Sequence, residues 1–66
     1  MRIADRIMKA LAVADGPLTI RELASLLSTS EPHVRQGIAV LLAGGHVAPV
    51  GKRKGHGRSA VEYEAR

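Results

Sequence analysis

Seven consecutive residues in the second half of this 66-residue chain have the composition of a polyanion-binding loop. They read Lys52-Arg53-Lys54-Gly55-His56-Gly57-Arg58 and include no acidic residue. Residues 31–66 hold six basic and three acidic groups, a net +3, whereas residues 1–30 hold four and three, a net +1. A local patch of one sign indicates a polyanionic partner, with nucleic acid the first candidate.

The chemistry expected of this loop is neutralisation of phosphates. We expect the basic side chains to contact phosphate oxygens while the glycines let the loop lie flat against a duplex, and we single out Arg53 for insertion into a minor groove. The alternative is a flexible, solubilising hairpin tip. The candidate contacts in this loop are Lys52, Arg53, Lys54, His56 and Arg58.

A second candidate set lies around the start of a predicted helix at residues 31–43. His33, Arg35 and Gln36 are long enough to reach base edges, where arginine prefers guanine and glutamine prefers adenine. The free N–H groups of the first turn, capped by Ser30, can dock on a phosphate. The alternative is an ordinary solvated helix face. The candidate contacts here are Thr29, Ser30, Pro32, His33, Arg35 and Gln36.

Metal binding and catalysis are not expected. The three histidines, His33, His46 and His56, lack the short ligand spacing of a zinc site, and the chain has no cysteine. Its serines form no Ser/His/acid arrangement, and it has no phosphate-cradling glycine motif of the P-loop type. We therefore predict a protein that is not an enzyme and needs no cofactor or small-molecule ligand.

The composition predicts a soluble, cytoplasmic protein. No apolar run reaches the eighteen residues needed to cross a bilayer, and because charged residues interrupt the first apolar pattern, we do not expect it to be a signal peptide. The absence of cysteine fits a reducing compartment. We expect one domain over residues 1–66, and a domain cut from a larger protein remains an equal possibility.

Apolar spacing predicts two helices in the first half of the chain. Ile3, Ile7, Leu11 and Ala14 recur at helical spacing, which indicates a helix over residues 2–14. We expect Asp15-Gly16-Pro17 to end it, since glycine can take the left-handed conformation and proline cannot continue a helix. Thr19 with Glu22 three residues later forms a capping box, which predicts a second helix over residues 20–27.

A turn and a third helix follow. Ser28-Thr29-Ser30 is the predicted turn, and Gly44-Gly45 ends the helix over residues 31–43. We expect Val34, Ile38, Leu41 and Leu42 to be buried. The residues expected to face outward or sideways are Pro32, His33, Arg35, Gln36, Gly37 and Ala39.

A hairpin completes the chain. Residues 46–50 and 58–65 are predicted strands because valine, tyrosine and alanine alternate with glutamate in the second, and residues 51–57 are the predicted loop. Apolar residues left exposed on the helices, such as Val13 and Val40, suggest that a second copy could cover them as a homodimer.

The order of these elements resembles the winged helix-turn-helix family of DNA-binding domains. The positions that match its pattern of buried and turn residues are Leu23-Ala24, Leu27, Ser30, Val34, Ile38, Leu41, Gly45 and Val47. The resemblance implies a mainly α fold of three helices plus a two- or three-stranded antiparallel wing.

The resemblance also implies a function. It implies a recognition helix in a major groove and a wing at residues 51–58, and hence a DNA-binding transcriptional regulator. One departure is Ser28, where many relatives have glycine, and we expect it to affect only local geometry. The alternatives are a winged-helix module for protein–protein contact and an RNA-binding domain.

Overall fold

A computed structural model describes residues 2–55 and 58–66 of the chain, and at residues 53–55 and 58–59 it describes the backbone alone. The described elements follow in order as α1 (Ile3–Val13), β1 (Leu18–Thr19), α2 (Ile20–Leu27), α3 (Glu31–Ala43), β2 (Val47–Gly55) and β3 (Arg58–Ala65). The bounds predicted for the second and third helices are confirmed, and α1 is one residue shorter at each end than expected.

The three strands form one antiparallel sheet in the order β1-β3-β2. β3 therefore lies in the centre, with Leu18 paired to Tyr63 on one side and Val47 paired to Ala65 on the other. Three helices with a three-stranded antiparallel sheet confirm the predicted fold class, and the layout is winged-helix-like.

One core joins the helices to the base of the sheet. Its buried apolar side chains come from every helix and from β2: Ile7, Leu11, Leu23, Ala24, Val34, Ile38, Leu41 and Val47. Half-buried residues, among them Ile3, Leu27 and Tyr63, pack around this cluster. The helical spacing seen in the sequence is thus the spacing of the buried face.

The capping box at the start of α2 is formed as predicted. Thr19 Oγ1 accepts a hydrogen bond from the Glu22 backbone N–H at 3.1 Å, and Glu22 Oε1 accepts one from the Thr19 N–H at 2.9 Å. Since these two N–H groups have no partner within the helix, the reciprocal bonds satisfy both and set the first residue of α2.

α1 ends differently from the prediction. Its C-cap is Ala14 in an extended conformation (φ −75°, ψ 148°), and among the described glycines only Gly45 has a positive φ. Gly16 does not adopt the left-handed conformation expected of it. The helix ends without one, and Pro17, which lacks a backbone N–H, cannot donate the hydrogen bond that would extend it.

α2 and α3 end with the same pair of backbone hydrogen bonds. After α3, Gly45 N–H donates to the Leu42 carbonyl and His46 N–H donates to the Leu41 carbonyl. After α2, Ser28 N–H donates to the Ser25 carbonyl and Thr29 N–H to the Ala24 carbonyl. This arrangement places one residue in the left-handed region.

The left-handed residue is Gly45 after α3 (φ 74°) and Ser28 after α2 (φ 53°). The expectation that Ser28 only alters local geometry is therefore incomplete. It holds the conformation for which glycine is the unstrained residue, because its Cβ crowds the backbone there.

Two residues of α3 lie on a different side from the one predicted. Gly37 was placed on the outward side, yet it is buried against α1, where a Cβ would lie 2.6 Å from Ile7 Cδ1 and 3.1 Å from Ile3 Cγ2. Leu42 was placed in the core, yet it is 39% exposed. The inner face of α3 is therefore Val34, Gly37, Ile38 and Leu41.

The hairpin is more regular than predicted. Residues 51–55, expected in a loop, are paired in β2, and the ladder continues to the pair Gly55 and Arg58. The strands shift register between Pro49 and Gly51, so that Val50 has no opposite residue. Such a β-bulge increases the local twist of the ladder.

Candidate nucleic-acid interface

The turn between α2 and α3 positions the first of the candidate residues. The Ser30 hydroxyl accepts a hydrogen bond from the His33 backbone N–H at 3.3 Å and so caps α3, as predicted. The Thr29 hydroxyl lies 2.9 Å from His33 Nδ1. This contact orients the imidazole, whose other nitrogen, Nε2, is then the one left for a partner.

Pro32 and His33 lie in the first turn of α3 and are exposed. The proline lacks a backbone N–H at a position where an N–H would have no partner within the helix. The start of α3 thus combines a capped terminus, a positive end of the helix dipole and an exposed imidazole. This combination suits an anionic group or an acceptor on a base edge.

The outward face of α3 lies opposite its buried face along the whole helix. Pro32, Gln36, Ala39 and Ala43 recur every three or four residues, and all four are exposed. Val40, which is 64% exposed, lies one turn beyond Gln36 on the same side. The face is therefore narrow and made of small or apolar side chains around one amide.

Val40 was not among the predicted site residues, although its spacing of four residues from Gln36 is a sequence feature that indicates a shared face. Residues four apart lie on one face of a helix, so that Gln36 and Val40 are neighbours. The prediction had assigned Gly37 to this face instead. The outward surface of α3 therefore includes Val40 and does not include Gly37.

Arg35 lies to one side of this face. Its Nη2 is 4.0 Å from the Glu31 Oε1 one turn earlier, and both side chains are exposed. An exposed pair of this kind stabilises a helix by at most a few tenths of a kcal/mol. Arg35 can therefore leave Glu31 for a phosphate or a guanine at little energetic cost.

The wing, which we define as residues 51–58, begins beyond the bulge at Val50. Lys52 is exposed and pairs with Val61, and the register sets Arg53 opposite Ala60 and Lys54 opposite Ser59. Arg58 begins β3, whereas His56 lies outside the described residues. The ladder thus brings the backbone of four predicted basic residues into one two-stranded ribbon.

α3 and the ribbon are joined closely. Only residues 44–46 separate the end of α3 from β2, and the Arg66 N–H donates to the His46 carbonyl at 2.8 Å. That bond ties the chain after β3 to the start of β2, at the base of the ribbon. The connection leaves little freedom between the helix and the wing.

A cavity elsewhere on the described surface has the opposite character. It has a volume of about 300 Å³, and its lining residues include the acidic Asp15 and Glu64 beside Leu11, Pro17 and Ala65. Two carboxylates at one opening repel phosphate. An anionic ligand therefore has no favourable site there.

The described part of the chain has neither a cluster of metal ligands nor a membrane-spanning helix. Among residues 2–55 and 58–66 no three histidine or acidic side chains cluster as metal ligands would. Over the same residues no helix has both the length and the apolar character of a membrane span.

Comparison of the sequence with protein-family models and with curated proteins gives no match. The relation to the winged helix therefore rests on the order and packing of the elements.

Proposed function

We propose that this protein binds duplex DNA and acts as a transcriptional regulator that occupies a site and so excludes or recruits other machinery. In this proposal α3 lies in the major groove, and the wing lies on the phosphate backbone or in the adjacent minor groove. The observation that carries it is the outward face of α3, which is exposed from Pro32 to Ala43 and joined by three residues to a basic ribbon.

The size of this face supports the proposal. A helix with its side chains is about 10–12 Å across, close to the width of the major groove of B-DNA. Ala39 and Ala43 add little bulk, so the helix backbone can approach the base edges. His33 and Gln36 then come within reach of bases, while Arg35 lies toward the sugar–phosphate wall.

The distribution of charge supports it as well. The chain has a formal charge of +4, and the exposed Lys52 and the neighbouring Arg53, Lys54 and Arg58 lie in consecutive pairs of one ladder. A two-stranded ribbon with basic residues on both strands is long enough to follow a groove wall.

The first test is fluorescence anisotropy with random-sequence duplex DNA at two salt concentrations. We expect a dissociation constant of about 1–100 μM that rises steeply with salt, as for electrostatic, sequence-independent binding. Absence of binding at low salt would contradict the proposal. That result would favour the alternative that this domain recognises another protein.

A matched pair of lysine variants makes the test specific to the wing. Lys52→Ala should lower the slope of log binding constant against log salt by about 0.9, the contribution of one neutralised phosphate. Lys9→Ala removes the same charge from an exposed position on α1 and should leave the slope unchanged. If the slope were the same in both variants, Lys52 would not neutralise a phosphate, and the wing would not be part of the DNA interface.

Two further measurements address the alternatives. Structured RNA that displaces the DNA, while duplex DNA fails to displace the RNA, would favour an RNA-binding domain. Sedimentation with and without DNA tests the homodimer, for which the exposed Val13 and Val40 are the candidates. A single monomeric species in both conditions would exclude it.

A further inference from the structure

We infer that the outward face of α3 selects duplexes with A·T pairs, with Gln36 reading adenine and Val40 contacting the thymine methyl group. This inference rests on the proposed function and adds to it the class of sequence bound. It depends on the position of Val40, which the structure places beside Gln36 on the exposed face.

The chemistry of the face supports adenine over guanine. Gln36 is the only side chain at the centre of the face that can both donate and accept, since its neighbours Pro32, Ala39 and Ala43 offer no side-chain hydrogen bond. An amide is complementary to the N7 acceptor and N6 donor of adenine. Guanine presents two acceptors there and leaves the amide oxygen unpaired.

Val40 supplies the second half of the argument. Its side chain is 64% exposed, so it contributes little to the core, and an apolar group on this face meets water unless a partner covers it. In the major groove, the apolar group that a base presents is the C5-methyl of thymine. Gln36 and Val40 therefore both favour A·T over G·C pairs.

The spacing of the two side chains sets their reach along the duplex. Four residues of α-helix span about 6 Å, and a base step spans about 3.4 Å. Because the groove runs obliquely to the duplex axis, a helix that follows it advances less than about 6 Å along that axis, and Gln36 and Val40 contact positions about one or two base pairs apart. The expected element is thus an adenine and a thymine methyl within two or three consecutive pairs.

The experiment begins with selection of bound sequences from a random duplex pool, using the full chain. An enriched site should contain A·T pairs at the positions protected by α3. The selected duplex is then made in two altered forms, one with deoxyuridine in place of the thymine, which lacks the methyl, and one with 7-deazaadenine, which lacks N7.

The expected results form two thermodynamic cycles, each of which combines one altered base with the protein variant that lacks the side chain contacting it. Deoxyuridine should weaken binding about fourfold in the unmodified protein, the equivalent of one buried methyl, and should have no effect on Val40→Ala. 7-Deazaadenine should weaken binding about tenfold and should have no effect on Gln36→Ala. Leu26→Ala, a truncation of an exposed apolar side chain of α2, should discriminate as the unmodified protein does.

The contrary outcomes separate the inference from the proposed function. Salt-dependent binding without A·T enrichment, or discrimination that survives in Val40→Ala, overturns the inference and leaves duplex binding standing. A Val40→Ala variant that changes the sedimentation of the protein but not its discrimination assigns Val40 to a second copy and also overturns it. Failure to bind any duplex overturns both.

Discussion

The α-carbon of Gly37 faces the side chain of Ile7, and a Cβ added there would lie 2.6 Å from Ile7 Cδ1. Ile7 is fully buried, so its Cδ1 has little space into which to move. The absence of a side chain at Gly37 lets α1 and α3 approach closely. Together with the buried Val34, Ile38 and Leu41, this contact orients α3 and so decides which of its residues face outward.

Gly37→Ala should destabilise the protein by about 1–2 kcal/mol. Overpacking costs about 1–3 kcal/mol, and the higher helix propensity of alanine offsets part of that. The Ile7→Val substitution removes the clashing Cδ1. We expect Gly37→Ala to cost less in that background than in the original chain, as measured by urea denaturation of the four proteins. If the free-energy costs of Gly37→Ala and Ile7→Val were additive, the Cδ1 of Ile7 would not be what opposes a Cβ at residue 37.

Ser28→Gly should stabilise the protein by up to about 1 kcal/mol, because the left-handed conformation of Ser28 (φ 53°) strains any residue with a Cβ. For a domain of this size that gain corresponds to about 4–8 °C in Tm. The reciprocal change, Gly45→Ser at φ 74°, should lower the Tm. A thermal scan that ranks the two variants in the opposite order would contradict this account of the two helix ends.

Arg6→Met should lower stability by about 1 kcal/mol. Arg6 Nη2 donates to the Leu27 carbonyl at 2.6 Å and so places a cation at the C-terminal end of α2, whose last turn has no basic residue of its own. Lys9→Met, at an exposed position of the same helix, is the control and should be within about 0.5 kcal/mol of the unmodified chain. Equal losses would point to a general effect of charge on α1.

Thr19→Ala should destabilise the protein more than Thr19→Ser does. Serine keeps the hydroxyl that accepts from the Glu22 N–H, and the difference between the two variants, about 1 kcal/mol, measures the cap. Chemical denaturation of both variants gives this difference directly. Equal stabilities would mean that Thr19, which is buried, contributes only through its methyl group.

Glu31→Gln should tighten binding to duplex DNA by about threefold at low salt, because it removes a negative charge beside the phosphates and releases Arg35 from its 4.0 Å pair. Asp5→Asn is the matched control, since Asp5 is an exposed acid in the first turn of α1. Both variants lose a favourable interaction with a helix dipole, so their stabilities should fall alike. Unchanged affinity in Glu31→Gln would indicate that the start of α3 is remote from DNA.

Local patterns predicted the helices well because their signals are local. The Thr19 and Glu22 capping box and the Gly44-Gly45 stop each involve residues a few positions apart, and the structure forms both as expected. The wing was predicted less well. Glycine and lysine are poor strand formers, so residues 51–55 resembled a loop, yet pairing with residues 58–62 holds them in the ladder.

The basic loop and the candidate face of α3 were also visible in the sequence, but the composition of that face was not. Gly37 has no side chain from which periodicity could be judged, and Val40 is an apolar residue on a polar side. Only the packing of α1 against α3 decides that Gly37 is inside, whereas the exposure of Val40 was expected from the sequence and is confirmed.

By itself, then, the sequence determined the limits of α2 and α3, the fold class and the excess of positive charge, because caps, apolar spacing and ionisable groups act over a few residues. The tertiary structure decided the rotation of α3 and the bulge at Val50. These features depend on contacts between segments distant in the chain, and there steric fit and strand pairing override local preference.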